Sequence, residues 1–296
     1  MKDAATRPAV AQDVIRLYDE YTHQPLSRRV FLRRLVRLLG SSAAAYAVLP
    51  LLENNYAHAD LIAPGDPRLQ AGDVHFGSLG AAPLSGYLVQ PQGQAAKSLP
   101  GVVVVHENRG LNPHICDVAR RLALAGFLVL APDYLSPQGG TPLNEDQARD
   151  MFDKLDAATT REVASQAFGY LRTAGNGRVG AVGFCWGGGQ VGQMAVQLPD
   201  LAAAVLYYGN QPAAAEVGRI QAPLLLHYAG LDERINAGIP AFEAALKEAG
   251  TSYRLYVYPG VNHAFNNDTN AARYDQGAAN LAWQRTLEFL HQYLSP

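Results

Sequence analysis

Cysteine is scarce in this chain, with only Cys116 and Cys185 among 296 residues. A framework of disulfide bonds therefore cannot be the basis of the fold. The histidines and cysteines also lack the spacing that is typical of metal ligands, so we predict no metal site. His58, His75 and His114 are scattered and are expected to lie in solvent.

Neither sign of charge predominates in the sequence. The chain carries 24 basic and 26 acidic residues, and the part after Ala59 has 16 basic and 21 acidic residues, a net charge of −5. A mildly acidic domain offers no attraction to the phosphates of nucleic acid, so no nucleic-acid partner is expected. Residues 60–296 have the length of one α/β domain.

The chain also lacks a long hydrophobic run, since its N-terminal apolar stretch covers only residues 38–52, fewer than the ~20 that span a bilayer. Before it, Ser27-Arg28-Arg29-Val30-Phe31-Leu32-Arg33 resembles a twin-arginine export motif, and Ala57-His58-Ala59 resembles a cleavage site. We therefore predict that residues 1–59 are a leader read by the twin-arginine export machinery, and that the mature protein is periplasmic or otherwise extracytoplasmic. The alternative is an uncleaved basic helix that packs on the domain or on another subunit.

Strand-like and helix-like segments alternate through the rest of the chain. This pattern predicts right-handed βαβ units, and hence an α/β fold with a mostly parallel sheet covered by helices on both faces. The expected strands are residues 86–89, 102–106, 127–131, 179–183, 203–208, 224–228 and 253–258, and the expected helices are 115–125, 146–155, 160–173, 239–250 and 276–293.

Cys185 lies in Gly183-Phe184-Cys185-Trp186-Gly187, directly after an expected strand. Small residues on both sides of a nucleophile, at a strand-to-helix turn, are typical of the nucleophile elbow of α/β-hydrolases, here with sulfur in place of the serine oxygen. The helix start that follows would favour a thiolate or an oxyanion. The alternative is that Cys185 is only a small buried residue.

Two further residues follow later strands in the order expected for a catalytic triad. Asp232 follows the strand at 224–228, and His263 follows the strand at 253–258. Taken alone, Asp232 is more typical of a turn or helix cap, and His263 of an exposed loop. Because the carboxyl ends of parallel strands share one edge of a sheet, the three together predict a thiol whose proton passes to an imidazole steadied by a carboxylate.

The loop after the strand at 102–106 is a second expected part of the site. Such a loop usually supplies one backbone N–H to an oxyanion hole, and the residue after the nucleophile, Trp186, supplies the other. Glu107 in this loop is either an exposed acid or a carboxylate that faces the thiol. His227, inside a strand, is expected to be a core or near-site histidine and not the base.

These motifs resemble the dienelactone hydrolase (carboxymethylenebutenolidase) family of α/β-hydrolases over roughly residues 70–294. The resemblance is carried by five stretches of the chain together with Asp232: His106-Glu107-Asn108-Arg109-Gly110, Ala131-Pro132-Asp133, Gly183-Phe184-Cys185-Trp186-Gly187-Gly188, Pro259-Gly260-Val261-Asn262-His263-Ala264-Phe265, and a last helix at 281–290. It implies one α/β-hydrolase domain, over residues 60–296.

The resemblance also implies site residues and chemistry. The triad would be Cys185, His263 and Asp232, with Glu107 contacting the resting thiol and moving aside for substrate. The N–H groups of Asn108 and Trp186 would form the oxyanion hole. The reaction would be hydrolysis of a small ester or lactone through a thioester acyl-enzyme, without metal or organic cofactor.

The chain departs from the family pattern in its arginines. Two arginines that hold a substrate carboxylate in the family, one after Asp133-Tyr134 and one after His263, are missing at the matching places. Arg109 and Arg234 are candidates to replace them. Two other functions stay open at this point: a non-enzymatic thiol protein that binds or senses electrophiles, and an acyltransferase that passes the acyl group to an acceptor other than water.

Overall fold

The computed structural model describes residues 10–58 and 60–295. Residues 1–9 of the expected leader, and Ala59 at its expected cleavage site, lie outside the described residues. Within the described part, eight strands form one sheet in the order β1-β2-β4-β3-β5-β6-β7-β8. The strands are β1 Leu69–Leu79, β2 Ala82–Pro91, β3 Gly101–Val105, β4 Leu128–Pro132, β5 Val179–Phe184, β6 Ala203–Tyr207, β7 Leu224–Ala229 and β8 Tyr253–Tyr258.

The sheet is mostly parallel, as expected from the alternation of strands and helices. Strands β3 to β8 run parallel to one another, whereas β1 and β2 pair antiparallel and β2 pairs antiparallel with β4. All seven expected strands are present. β1 was not expected, because it is an edge strand whose residues are mostly exposed and which lacks a continuous apolar pattern.

Helices cover both faces of the sheet and bury two separate apolar cores. Side chains of a strand point alternately to opposite faces, so Val103 and Val105 enter one core and Val102 and Val104 the other. Helices α6, α7 and α9 pack in the first core, and α4 and α10 in the second. The helices of this part are α4 Pro113–Leu124, α5 Glu145–Phe152, α6 Ala157–Ala174, α7 Trp186–Gln197, α8 Glu233–Asn236, α9 Ile239–Ala249 and α10 Gln276–Leu294.

In the described part of the expected leader, residues 10–58, the chain forms three α-helices, which are α1 Gln12–His23, α2 Arg28–Leu39 and α3 Ser42–Leu52. We call residues 12–58 the cap segment. Its helices bury a small core of their own, and the side-chain oxygens of Ser27 and Ser41 cap the N-termini of α2 and α3. Within the described residues, no single helix is long and apolar enough to cross a membrane. Together α2 and α3 have sufficient length and apolar composition, but the chain bends by 116° between them.

The cap segment is bound to the rest of the protein by hydrogen bonds along its length. The backbone N–H of Asn55 donates to the Thr269 carbonyl at 2.8 Å, and that of Ala272 donates to the Leu51 carbonyl at 3.0 Å. Arg28, from the twin-arginine motif, donates to Asp146 at 3.0 Å. This is the packing that the alternative interpretation of the segment describes. Export through the twin-arginine machinery stays a prediction.

One expectation about the histidines is wrong. His114 is fully buried at the start of α4, where its Nδ1 atom lies 3.0 Å from a carboxylate oxygen of Asp268. A histidine that pairs with an acid distant in sequence gives no periodic signal, so its burial was not predictable from its neighbours. His75 is exposed on β1, as expected.

Candidate active site

The backbone is strained at Cys185, between β5 and α7. Cys185 has φ 55° and ψ −116°, a conformation that L-residues rarely adopt. The flanking glycines allow it, because a Cβ atom on Gly183 would lie 2.1 Å from the Gly187 carbonyl oxygen. The turn therefore presents the thiol at the carboxyl end of the sheet, at the head of a helix whose N-terminus favours negative charge.

We expect Gly187→Ala to lower the free energy of unfolding by about 3 kcal/mol or more, since its Cβ atom would lie 2.2 Å from the Val105 carbonyl oxygen. Gly169 in α6 is a matched control, because a Cβ atom there has no neighbour within 4 Å. Gly169→Ala should raise stability by about 0.5–1 kcal/mol. Urea denaturation measures both, and equal effects of the two substitutions would contradict this account.

Asp232 and His263 come together after neighbouring strands. His263 Nδ1 lies 2.5 Å from Asp232 Oδ2, and both side chains are buried. The other carboxylate oxygen, Oδ1, accepts a hydrogen bond from the backbone N–H of Ile235 and so caps α8. Burial opposes the charge on each partner, but the opposite charge of the other outweighs it, and at His263 the nearby Cys185 sulfur adds to this effect. The pKa of His263 is thus raised to about 9, and the pKa of Asp232 is lowered.

The raised pKa of His263 predicts how stability depends on pH. A group whose pKa is higher in the folded than in the unfolded protein stabilises the fold below its unfolded pKa, and that contribution is lost as pH rises through the folded value. For His263 the window runs from about pH 6.5 to about pH 9. The free energy of unfolding of the wild-type protein, minus that of His263→Gln, should therefore fall by about 3 kcal/mol across this window. Urea titrations at several pH values test this, and a constant difference would contradict it; His75→Gln should show none.

A second histidine, which sequence reasoning missed, contacts the thiol. His23 is the last residue of α1, and its Nε2 atom lies 3.2 Å from Cys185 Sγ. Its ring packs edge-on to the ring of His263, with centroids 4.6 Å apart. His263 Nε2 is buried and has no hydrogen-bond partner within the described part of the chain. Two imidazoles therefore converge on one sulfur.

His23 was missed because it lies in a stretch with the composition of a leader. Asp19 precedes it by four residues on the same helix, and His23 Nδ1 lies 3.1 Å from an oxygen of the Asp19 carboxylate. An acid and a histidine at this spacing share one helix face, and this spacing could have been recognised in the sequence. Its meaning depends on where α1 packs, and local sequence does not give that.

Glu107 and the expected oxyanion-hole residues lie beside the nucleophile. Glu107 lines a narrow cleft together with Cys185 and His263, but its Oε2 atom accepts a hydrogen bond from Asn267 Nδ2 at 2.9 Å. Its Oε1 atom is buried without a partner among the described residues. Asn108 follows β3, and Trp186 is the first residue of α7. Their backbone N–H groups have the chain positions that an oxyanion hole requires.

Two other histidines near the sheet edge, His106 and His227, make hydrogen bonds within the fold. His106 Nδ1 donates to the Glu107 carbonyl, and its Nε2 accepts from the backbone N–H of Tyr134. Burial lowers its pKa. His227 lies between the hydroxyls of Tyr258 and Thr286, and burial lowers its pKa to about 3. His227 is thus a core histidine, as predicted.

A cavity of about 430 Å³ opens above Cys185. The cap segment contributes residues 22–25 to its wall, and Trp186 and Arg234 line it as well. Arg234 is partly exposed and lies 3.7 Å from the Asp19 carboxylate. Arg109, the other candidate for substrate binding, is buried and donates to the Glu145 carbonyl. Of the two arginines, Arg234 lines this cavity, whereas Arg109 lines the narrow cleft that Glu107 shares with Cys185 and His263.

The same group of residues has the composition of a metal site. The ligand atoms of His23, Cys185 and His263 lie within 4.8 Å of one another. Imidazole nitrogen and thiolate sulfur are donors that Zn²⁺ accepts. The absence of metal-ligand spacing in the sequence is no guide here, because the three residues come from distant parts of the chain.

The strand order, the strained turn at Cys185 and the acid–histidine pair at the same sheet edge together define an α/β-hydrolase. Residues 84–294 match the model of the dienelactone hydrolase family, and the chain belongs to that family. The cap segment lies outside the matched region. Membership makes the protein a hydrolase.

Relatives and solved structures agree with this assignment. A protein of Escherichia coli K12, provisionally named carboxymethylenebutenolidase, is 32% identical over 249 residues, covering 77% of this chain and 89% of the relative. A structure from Klebsiella pneumoniae, described provisionally as a dienelactone hydrolase, superposes with a TM-score of 0.66 at 29% identity, covering 76% of this chain and 99% of that one. The dienelactone hydrolase of Anabaena variabilis gives a TM-score of 0.58 at 26% identity, covering 77% and 99%.

Proposed function

We propose that this chain hydrolyses small esters or lactones through a thioester formed on Cys185, with His263 and Asp232 as the other members of a catalytic triad. The observation that carries the proposal is the buried Asp232–His263 pair, 2.5 Å apart, whose free Nε2 atom lies within 4.8 Å of the Cys185 sulfur. The family assignment supports ester or lactone substrates.

In the proposed reaction the thiol loses its proton to an imidazole, and the sulfur attacks the substrate carbonyl. The N–H groups of Asn108 and Trp186 would stabilise the oxyanion of the tetrahedral intermediate. The carbon–oxygen bond to the leaving group breaks, and the alkoxide takes up a proton. Water then cleaves the thioester and regenerates the thiol. Asp232 holds the His263 ring with Nδ1 protonated and Nε2 directed toward the reacting atoms.

Intact-mass spectrometry of the protein, mixed rapidly with a panel of esters and lactones, tests this proposal. Hydrolysis through Cys185 requires a transient adduct of acyl mass on that residue, together with many product molecules per chain. A single lasting adduct would indicate an electrophile-binding protein instead. Consumption of the adduct by an added amine or alcohol in preference to water would indicate an acyltransferase.

Arg234 is proposed to attract a substrate carboxylate, because its side chain is partly exposed and this residue lines the cavity above the thiol. Arg234→Gln should then raise KM for anionic esters while leaving KM for neutral esters unchanged. Arg172→Gln is a suitable control, since Arg172 is exposed and pairs with Asp200 at a distance from the cavity.

Export is a separate proposal and has its own test. Replacing both Arg28 and Arg29 with lysine keeps the charges but alters a twin-arginine motif. Retention of the double variant inside cells that export the wild-type protein would support export by this route. If both proteins fractionate alike, residues 1–59 are not such a leader.

A further inference from the structure

From the contacts of the cap segment we infer that His23 is a further catalytic residue, the one that accepts the proton of Cys185, and that His263 serves the leaving group and the attacking water. This inference rests on the proposed hydrolytic function, and it applies to the chain that keeps residues 1–59, because cleavage at the expected leader site would remove His23. Two imidazoles, each with a carboxylate beside it, would thus divide the proton transfers that a single histidine performs in an ordinary triad.

The first support is the hydrogen bonding of the thiol. His23 Nε2 lies 3.2 Å from Sγ, whereas His263 Nε2 makes no hydrogen bond within the described residues although only 4% of that residue is exposed. Buried polar atoms usually have partners. An unpartnered Nε2 beside the cavity is therefore free to meet a leaving group or a water molecule.

The second support is the orientation of the His23 ring. Its Nδ1 atom lies 2.9 Å from the main-chain carbonyl oxygen of Asp19 and 2.9 Å from Thr22 Oγ1. The Thr22 hydroxyl donates its hydrogen to that same carbonyl at 3.0 Å, and a carbonyl can only accept a hydrogen bond. Nδ1 therefore carries the hydrogen in the neutral ring, and the Nε2 lone pair faces the thiol. The Asp19 carboxylate, 3.1 Å from Nδ1, would stabilise the imidazolium that forms.

The Asp19 carboxylate is itself kept ionised. It is partly buried, which raises its pKa, but the charges of His23, His263 and Arg273 outweigh this desolvation and hold the pKa well below its usual range. Arg234 lies 3.7 Å from it and Arg273 4.0 Å. Asp19 thus places a negative charge beside His23, as Asp232 does beside His263, but the hydrogen bond of His23 Nδ1 goes to the Asp19 main-chain carbonyl and not to its carboxylate.

The third support is the way in which the end of α1 is held over the site. Asn108 Nδ2 donates to the Thr22 carbonyl at 2.8 Å, and Arg149 donates to the Tyr21 carbonyl at 3.0 Å. Tyr21 is buried and stacks on Phe31 with ring centroids 4.5 Å apart. The position of His23 is therefore fixed by the loop after β3 and by the cap segment's own core.

The proton transfers balance over the cycle. The Cys185 proton passes to His23 as sulfur bonds to the carbonyl carbon, and the leaving alkoxide takes its proton from the His263 imidazolium as the carbon–oxygen bond breaks. In the second half, neutral His263 takes a proton from water as hydroxide attacks the thioester. The carbon–sulfur bond breaks, and His23 returns the proton to the thiolate. Each histidine ends in the state in which it began.

The test uses the full-length chain in a Cys116→Ala background, where Cys185 is the only thiol. His23→Gln is compared with His263→Gln and with His75→Gln, the same substitution at an exposed residue of β1. The first measurement is the pH dependence of alkylation by iodoacetamide. His23→Gln should shift the midpoint upward by about one pH unit or more, and His75→Gln should not shift it.

The second measurement is the burst of nitrophenolate from a p-nitrophenyl ester, whose leaving group needs no proton. His263→Gln should keep a burst of one equivalent and accumulate the thioester. His23→Gln should slow the burst by about 10²-fold or more. If His23→Gln matches His75→Gln in both measurements, the inference is overturned.

Two further experiments distinguish proton acceptance by His23 from misfolding of the variant and from metal binding. If His23→Gln is misfolded by circular dichroism, His23→Ala with added imidazole replaces it, and restoration of the burst by imidazole would support proton acceptance. A chelator that releases bound zinc and speeds alkylation of the wild-type protein would make His23 a metal ligand and overturn the inference. A shifted alkylation midpoint in a protein that turns over no ester would support the His23–Cys185 pairing and count against the proposed hydrolysis.

Discussion

Replacement of Cys185 by alanine is expected to reduce kcat/KM for activated esters by about 10⁴-fold or more, because the sulfur that attacks the substrate carbonyl and carries the acyl group is lost. The thiol is buried at a strained turn. Alanine removes only the sulfur atom and keeps the Cβ atom in place. The fold should therefore survive. Initial rates with a p-nitrophenyl ester measure the effect.

Cys116 is the matched control for this substitution. It lies in α4, away from the cavity, and burial raises the pKa of its thiol to about 12, so it is a poor nucleophile at neutral pH. Cys116→Ala should retain the wild-type rate. Full activity in Cys185→Ala, or loss of activity in Cys116→Ala, would refute Cys185 as the nucleophile.

The second large effect is expected from Asp232→Asn, which should lower kcat by about 10⁴-fold. The asparagine amide can still accept the hydrogen bond from Ile235 that caps α8, so that cap should be kept, whereas loss of the buried ion pair with His263 should lower the free energy of unfolding by about 3 kcal/mol at neutral pH. At the other oxygen, an NH₂ group would face His263 Nδ1 and favour the wrong tautomer of the ring. Steady-state kinetics and thermal unfolding together separate these two consequences.

Asp200→Asn is the control, because Asp200 is an exposed acid that pairs with Arg172 on the surface. It should leave kcat unchanged. A loss of less than tenfold in Asp232→Asn would mean that the carboxylate has no part in orienting the base. Such a result would favour the Asp19–His23 pair as the carboxylate and imidazole that act on the thiol.

The sheet was predictable because its central strands are short runs of apolar residues buried on both faces. β3 and β5 are fully buried and have no alternating pattern, as is typical of parallel sheets with helices on both sides. β1 was not predictable in the same way. Its side chains are largely exposed, and only its pairing with β2 makes it a strand.

The positions of Cys185, Asp232 and His263 were also accessible from sequence. Each follows a strand that local composition marks, and parallel strands end at one edge. The partners of Glu107 were not accessible in this way. Its hydrogen bond comes from Asn267, 160 residues further along, and no local pattern relates the two.

By itself, the sequence determined the α/β fold, the chain order of nucleophile, acid and histidine, and the strained turn that glycines permit, because each of these depends on local residue type and on periodic burial. Only the tertiary structure decided what surrounds the thiol. The stretch at residues 12–58 has the composition of an export leader, yet it folds over the sheet edge and brings His23 to 3.2 Å from the Cys185 sulfur. That contact joins residues 162 positions apart, and it depends on the packing of α1 against the loop after β3.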